Sequence, residues 1–171
     1  MKKILFVISS ILILVSCGQE KKFDDNLKSA FKEQNITFYT SVLAVDKISS
    51  TWSTAIFDNK TPSGKYCSDF NDALEELYES FKTYGITDSI SKHKGVMENQ
   101  VSKLNNPPAS RKDCYNDLVE LVSETNSFAR MATNPSGNLR SYVDQKNASF
   151  EKISKMMDQF KIKYGALIEN K

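Results

Sequence analysis

From residue 25 onward, apolar side chains recur at steps of three, four and seven along most of the chain, with polar and charged residues between them. This is the period of amphipathic helices, and it predicts five of them. The first runs from about Asp25 to Phe57, with Leu27, Phe31, Phe38, Val42, Val45, Trp52 and Ile56 on one stripe. Residues 36–45 are rich in β-branched and aromatic side chains and would also suit a strand. The period continues on both sides of them, which favours the helix.

Asn59, Pro62 and Gly64 supply a break. A second helix is predicted from about Lys65 to Tyr84, turning Tyr66, Phe70, Leu74, Leu77, Phe81 and Tyr84 inward, with Gly85 as its left-handed terminator. A third, capped by Thr87 or Asp88, reaches about Leu104. Its apolar residues are few (Ile90, Val96, Met97, Val101, Leu104) and Gly95 interrupts it, so it is expected to flank the core or to form only in part. Pro107 and Pro108 end it. Ser110 with Asp113 resembles a capping box for a fourth helix to about Ala132, through Cys114, Leu118, Leu121, Val122, Phe128 and Met131. After the turn Asn134–Gly137, a fifth runs from Asn138 to about Tyr164 with Leu139, Tyr142, Val143, Phe150, Ile153, Met157 and Phe160 inward, stopped by Gly165. Pro-Ser-Gly occurs twice, at 62–64 and 135–137, and Asn-Asp twice, at 71–72 and 116–117. Turn chemistry and helix starts account for both without a repeat.

The fold class is therefore all-α: an elongated up-down bundle of four to five helices spanning residues 24–171. The longest helices, of about thirty residues, would reach roughly 40–50 Å at 1.5 Å per residue. Short connections make consecutive helices antiparallel. The second and fourth would then start at the same end, with Cys67 and Cys114 each in a first turn. The pairing predicts a Cys67–Cys114 disulfide closing a loop of 46 intervening residues, a link that contributes roughly 4 kcal/mol at the upper end. Two buried free thiols are the alternative.

The start of the chain follows a different pattern. Lys2 and Lys3 precede an apolar run from Ile4 to Val15, broken by Ser9 and Ser10, and Leu14-Val15-Ser16-Cys17 follows. The run is about a dozen residues, short of the roughly twenty that span a bilayer. It reads instead as a cleaved signal, residues 1–16. The segment resembles the signal and lipobox of bacterial lipoproteins, a resemblance confined to residues 1–19. It implies diacylglycerol on the Cys17 sulfur, cleavage before Cys17, and membrane lipid as a partner. Each buried methylene contributes about 0.8 kcal/mol, so two or three chains hold firmly. It also implies localisation in the bacterial envelope, at the outer membrane or the outer face of the cytoplasmic membrane. Gly18 after the cysteine permits the former. Residues 17–23 would be the lipidated cysteine and a polar tether, with Gln19–Lys22 unstructured. Export also places Cys67 and Cys114 where disulfides persist.

Charge and chemistry narrow the function. Cleavage removes Lys2 and Lys3, leaving 21 basic and 21 acidic residues and no net charge. Nucleic acid, which is captured by basic surfaces, is not an expected partner. His93 is the only histidine, lies between Lys92 and Lys94, and is expected to face solvent. One histidine rules out multi-histidine zinc sites, and no CxxC, GxGxxG, Walker A or GxSxG pattern occurs. Glu75-Glu76, Asp24-Asp25 and Asp69-Asp72 read as solvated faces or as charge at helix starts. No catalytic, metal or cofactor residues are assigned, and no enzymatic activity is expected.

Among the aromatics, Trp52 is expected in the core, while Tyr39, Tyr115 and Met156-Met157 lie at stripe edges and would mark a contact surface if exposed. The expected function is non-catalytic binding or structural interaction with another envelope protein. The preferred surface is the end carrying Cys67 and the Pro62 and Pro107 loops. One alternative is an immunity or exclusion lipoprotein that binds an incoming toxin or blocks incoming DNA. Another is a carrier holding a small apolar ligand between helices.

Overall fold

The computed structural model describes the backbone of residues 2–169 and the side chains of residues 18–169. Five helices form an all-α bundle: α1 Lys2–Asp58, α2 Phe70–Thr83, α3 Ile86–Ser102, α4 Lys112–Thr133 and α5 Leu139–Ile168. A single 3-10 turn, Ala109–Arg111, precedes α4. No helix among the described residues is long and apolar enough to cross a membrane.

The side-chain pairs give the topology. Along α2 and α3 the partners on α1 fall as the chain advances: Phe70 stacks on Trp52, His93 meets Glu33, and Lys103 shares a groove with Phe23 and Asn26. The two helices are consecutive lengths of one rod, both antiparallel to α1. The break between them is only Tyr84 and Gly85, the latter at φ +67°. A left-handed residue terminates α2, and the chain re-enters a helix at once. Along α4 the partners rise, from Arg111 on Asp24 to Thr125 on Gln34 and Phe128 on Phe38, so α4 is parallel to α1. Along α5 they fall again, from Tyr142 on Trp52 to Phe160 on Phe31. Five helices thus make four rods, up-down-up-down. The parallel pair α1 and α4 lies on one diagonal, and α3 and α5 do not approach one another.

The inner stripe of α1 is Phe23, Leu27, Phe31, Phe38, Val45, Ile48 and Trp52, filled in with Ala30 and Ala44. Gln34, Thr37 and Ser41 occupy the same face and are buried. The Thr37 and Ser41 hydroxyls donate to carbonyls one turn back, and Gln34 Nε2 donates to Thr125 Oγ1 at 2.9 Å. The position is inside because the helical period puts it there, whatever residue occupies it.

Several boundaries differ from expectation. Residues 18–23 are helical and continuous with α1, and Phe23 is buried, so Gln19–Lys22 are not an unstructured tether. Burying Phe23 and bonding Glu20 to Ser110 hold this turn. α3 is fully helical and packs along α1, because Ile90 and Met97, with Leu104 in the turn just beyond its end, are buried. Its start carries no side-chain cap, so neither Thr87 nor Asp88 serves. Ser110 does not cap α4, because its hydroxyl is taken by Glu20. α5 passes through Gly165 to Ile168. Ile56, Tyr66, Tyr84 and Phe150, all expected inside, are exposed. Ile56 and Tyr84 lie at the ends of α1 and α2, and Tyr66 lies in the connection before α2 begins.

Candidate interaction surface

The end of the bundle where α1 stops is closed by the α1–α2 connection. Asn59, at φ +52°, turns the chain out of α1, a conformation asparagine tolerates better than most residues. Lys60 and Tyr66 then form an isolated antiparallel bridge. The Thr61 amide donates to the Lys65 carbonyl at 2.8 Å, and the Cys67 amide donates to the Asn59 carbonyl at 2.9 Å. Gly64, at φ +83°, makes the turn. From α2, Glu76 accepts hydrogen bonds from the Ser63 amide at 2.6 Å and the Ser63 hydroxyl at 3.1 Å. Partial desolvation opposes ionisation of Glu76, but the hydrogen bonds from Thr61 and Ser63 and the charge of Lys65 outweigh it and hold the carboxyl below its ordinary range. Asp69 caps α2 through the Asn71 amide, which lowers its own pKa.

This small hairpin covers Cys67, which packs with Ala55, Ala73 and Phe70. Its outer side, with the last turn of α1, presents Phe57 at 73% and Tyr66 at 79% exposure, beside Ile56. Two aromatic rings thus stand in water at one end of the rod, on or beside the braced hairpin, whereas the equally exposed Tyr84 and Ile162 lie elsewhere on the bundle.

The opposite end holds a groove of about 440 Å³ between the start of α1 and the α3–α4 connection. Gln19, Lys22, Phe23 and Asn26, one stripe of α1, form one wall; Lys103, Asn105, Asn106, Pro107 and Pro108 form the other. Arg111 braces the connection by gripping Asp24 with two hydrogen bonds, at 2.9 and 3.1 Å.

The residues singled out by sequence fall at different places. Cys67 and Cys114 are free and buried, and no disulfide joins them. Cys67 packs on Ala55 of α1, whereas Cys114 lies beside Arg111 and Asp24, about 45 Å away along the helix at 1.5 Å per residue. The expected bridge fails because α2 and α3 count as one rod, which puts the starts of α2 and α4 at opposite ends. Burial pushes the Cys114 thiol up to about 12, more than the nearby Arg111 can offset. For the same reason Pro62 and Pro107 do not share a surface: one is on the hairpin, the other in the groove. Cys17, with the lipobox and the apolar run before it, lies outside the described side chains.

Trp52 is buried, stacked on Phe70 at 5.1 Å and tilted against Tyr142 at 5.6 Å. Tyr39 is exposed on α1, Tyr115 is half-buried and donates to Asn105, Met156 is half-buried and Met157 is buried, so these four form no common patch. His93 does not simply face solvent: its Nδ1 lies 2.6 Å from Glu33 Oε2, half-buried between α3 and α1. Asp24 pairs with Arg111, Glu76 clamps the hairpin and Asp69 caps a helix, so these carboxylates have structural partners. Among the described residues no group of three histidine, cysteine, aspartate or glutamate side chains is placed to hold a metal.

Sequence reading missed the Glu33–His93 and Gln34–Thr125 pairs. The signal for Gln34 was present, since it falls in step with Leu27, Phe31 and Phe38. Comparison of the chain with protein-family models, curated proteins and solved structures finds no match.

Proposed function

We propose that the chain is a lipid-anchored lipoprotein of a bacterial envelope, and that its bundle is a non-catalytic interaction module meeting a protein partner through the hairpin end. The observation that carries this reading is the position of the Phe57 and Tyr66 rings. They lie at the end of α1 remote from Cys17. Acyl chains on Cys17 would hold one end of the rod at the bilayer. The distance from residue 17 to residue 58 along α1 is about 60 Å at 1.5 Å per residue, which sets how far the hairpin stands from its anchor. Aromatic side chains on a rigid backbone are the side chains that most often anchor protein interfaces, because they bury much area for little lost freedom. The hydrogen bonds from Ser63 to Glu76 keep the hairpin in one shape before any partner arrives.

The test is site-specific photocrosslinking in native envelopes, with the reactive group placed in turn at Tyr66, at Tyr39 on the side of the bundle and at Lys103 by the groove. One discrete protein adduct from position 66, absent from position 39, is the expected result. Adducts from the side alone, or none from position 66, would refute the hairpin as the contact. Fractionation of a Cys17→Ser variant tests the anchor separately: it should leave the membrane fraction.

A further inference from the structure

We propose that the groove at the base of the bundle binds the phosphate headgroup of an anionic membrane phospholipid. The proposal rests on the lipid-anchor reading above.

Its lining is selective in chemistry. Lys22 and Lys103 supply two cations, and neither has a carboxylate within ion-pair distance among the described residues. Four carboxamides, Gln19, Asn26, Asn105 and Asn106, add N–H donors, and no carboxylate lines the groove. The acids on the neighbouring face are already engaged, Glu20 by Ser110 and Asp24 by Arg111. Phe23, Pro107 and Pro108 give the same groove apolar walls. Cations and amide donors beside apolar side chains suit a phosphate that carries a glycerol and acyl chains better than a free ion, which would leave the apolar side unused.

Position makes the same point. Lys22 is five residues beyond Cys17 on a continuous helix, about 7–8 Å at 1.5 Å per residue. The headgroup layer on each side of a bilayer is roughly 5–8 Å deep. Chains inserted from Cys17 would bring the groove to the level of the phosphates. Each lysine near an anionic surface adds to the attraction, so the groove would add orientation to an anchor that the acyl chains alone leave free to swing.

The test uses the purified acylated protein in nanodiscs, read by amide hydrogen exchange at residues 22–26 and 103–106. In discs containing phosphatidylglycerol, exchange should be about threefold slower than in pure phosphatidylcholine, as for a site two-thirds filled. A Lys22→Gln/Lys103→Gln variant with an unchanged melting temperature should lose that difference. Equal exchange in both lipids, or slowing that survives the double substitution, would overturn the proposal. Inorganic phosphate at millimolar concentration, added to phosphatidylcholine discs, should leave exchange unchanged. Slowing as large as with phosphatidylglycerol would assign the site to soluble phosphate and overturn the lipid source. The intact mass of the same sample shows whether Cys17 carries acyl chains. A missing acyl mass therefore refutes the anchor, while an acylated protein blind to lipid charge refutes only the groove.

Discussion

Gln34 shows what a single position costs this core. Its amide nitrogen reaches Thr125, but its carboxamide oxygen is buried without a partner. A buried unsatisfied acceptor costs roughly 1–3 kcal/mol. Thr125 does not depend on Gln34, since its hydroxyl also donates to the Leu121 carbonyl at 2.9 Å. Gln34→Leu is therefore expected to stabilise the bundle by about 1 kcal/mol, which raises the melting temperature by about 2–4 °C for a chain of this size; calorimetry checks it. Cys114 gives a second residue-scale outcome. Burial disfavours its thiolate, so the folded protein should resist alkylation there, and the denatured, unreduced protein should titrate two thiols at Cys67 and Cys114. Glu76 gives a third. Its pKa lies below the ordinary glutamate value of 4.5, so the clamp on Ser63 is fully present above that pH and is lost as pH falls through the lower folded value. The Ser63 amide resonance should move only in that acidic window, and Glu76→Gln should abolish the shift. Most apolar inner residues of α1, α4 and α5 are legible because the period places them, Ile56 and Phe150 excepted. Glu33 with His93 was not, because a contact between residues sixty positions apart leaves no trace in local spacing.

At the scale of elements, the helices were readable and their ends much less so. Gly85 is the exception: it was expected to close α2 in a left-handed conformation, and it does, at φ +67°. A Cβ there meets no neighbour within 4 Å, so only the backbone objects. Gly85→Ala should cost about 1 kcal/mol from that conformation alone, measured by urea denaturation with an unchanged slope. The fourth helix shows why ends are hard to read. Ser110 and Asp113 have capping-box spacing, yet the Ser110 hydroxyl serves Glu20, ninety residues away. Asn138, by contrast, caps α5 in a reciprocal pair with Ser141, a short-range device with no competitor. Local signals decide a helix end only when no distant partner bids for the same atoms. α3 has few apolar residues, but they suffice, because Ile90, Met97 and the following Leu104 all reach the centre.

For the whole molecule, one break decides the topology. Five helices were legible, but whether two of them formed a single rod depended on a two-residue break whose angle no local pattern specifies. That choice reversed which ends meet, removed the Cys67–Cys114 bridge and separated the Pro62 loop from the Pro107 loop. The exposed aromatics at the hairpin were masked in the same way, since Tyr66 sits in step with a helix that begins only at Phe70. Replacing Phe57 and Tyr66 together by serine should change stability by no more than about 0.5 kcal/mol, as for other surface positions, while abolishing partner capture at the hairpin. Unchanged melting with lost crosslinking is the signature of an interface, and a fall in both would mark the rings as structural.

Because α1 runs unbroken from the base of the bundle to its tip, a pull between its two ends travels down one continuous helix. The other three rods grip that helix side-on along its length, so force would strain their contacts together in shear instead of peeling them apart one turn at a time. A molecule arranged this way resists tension along its axis far better than across it.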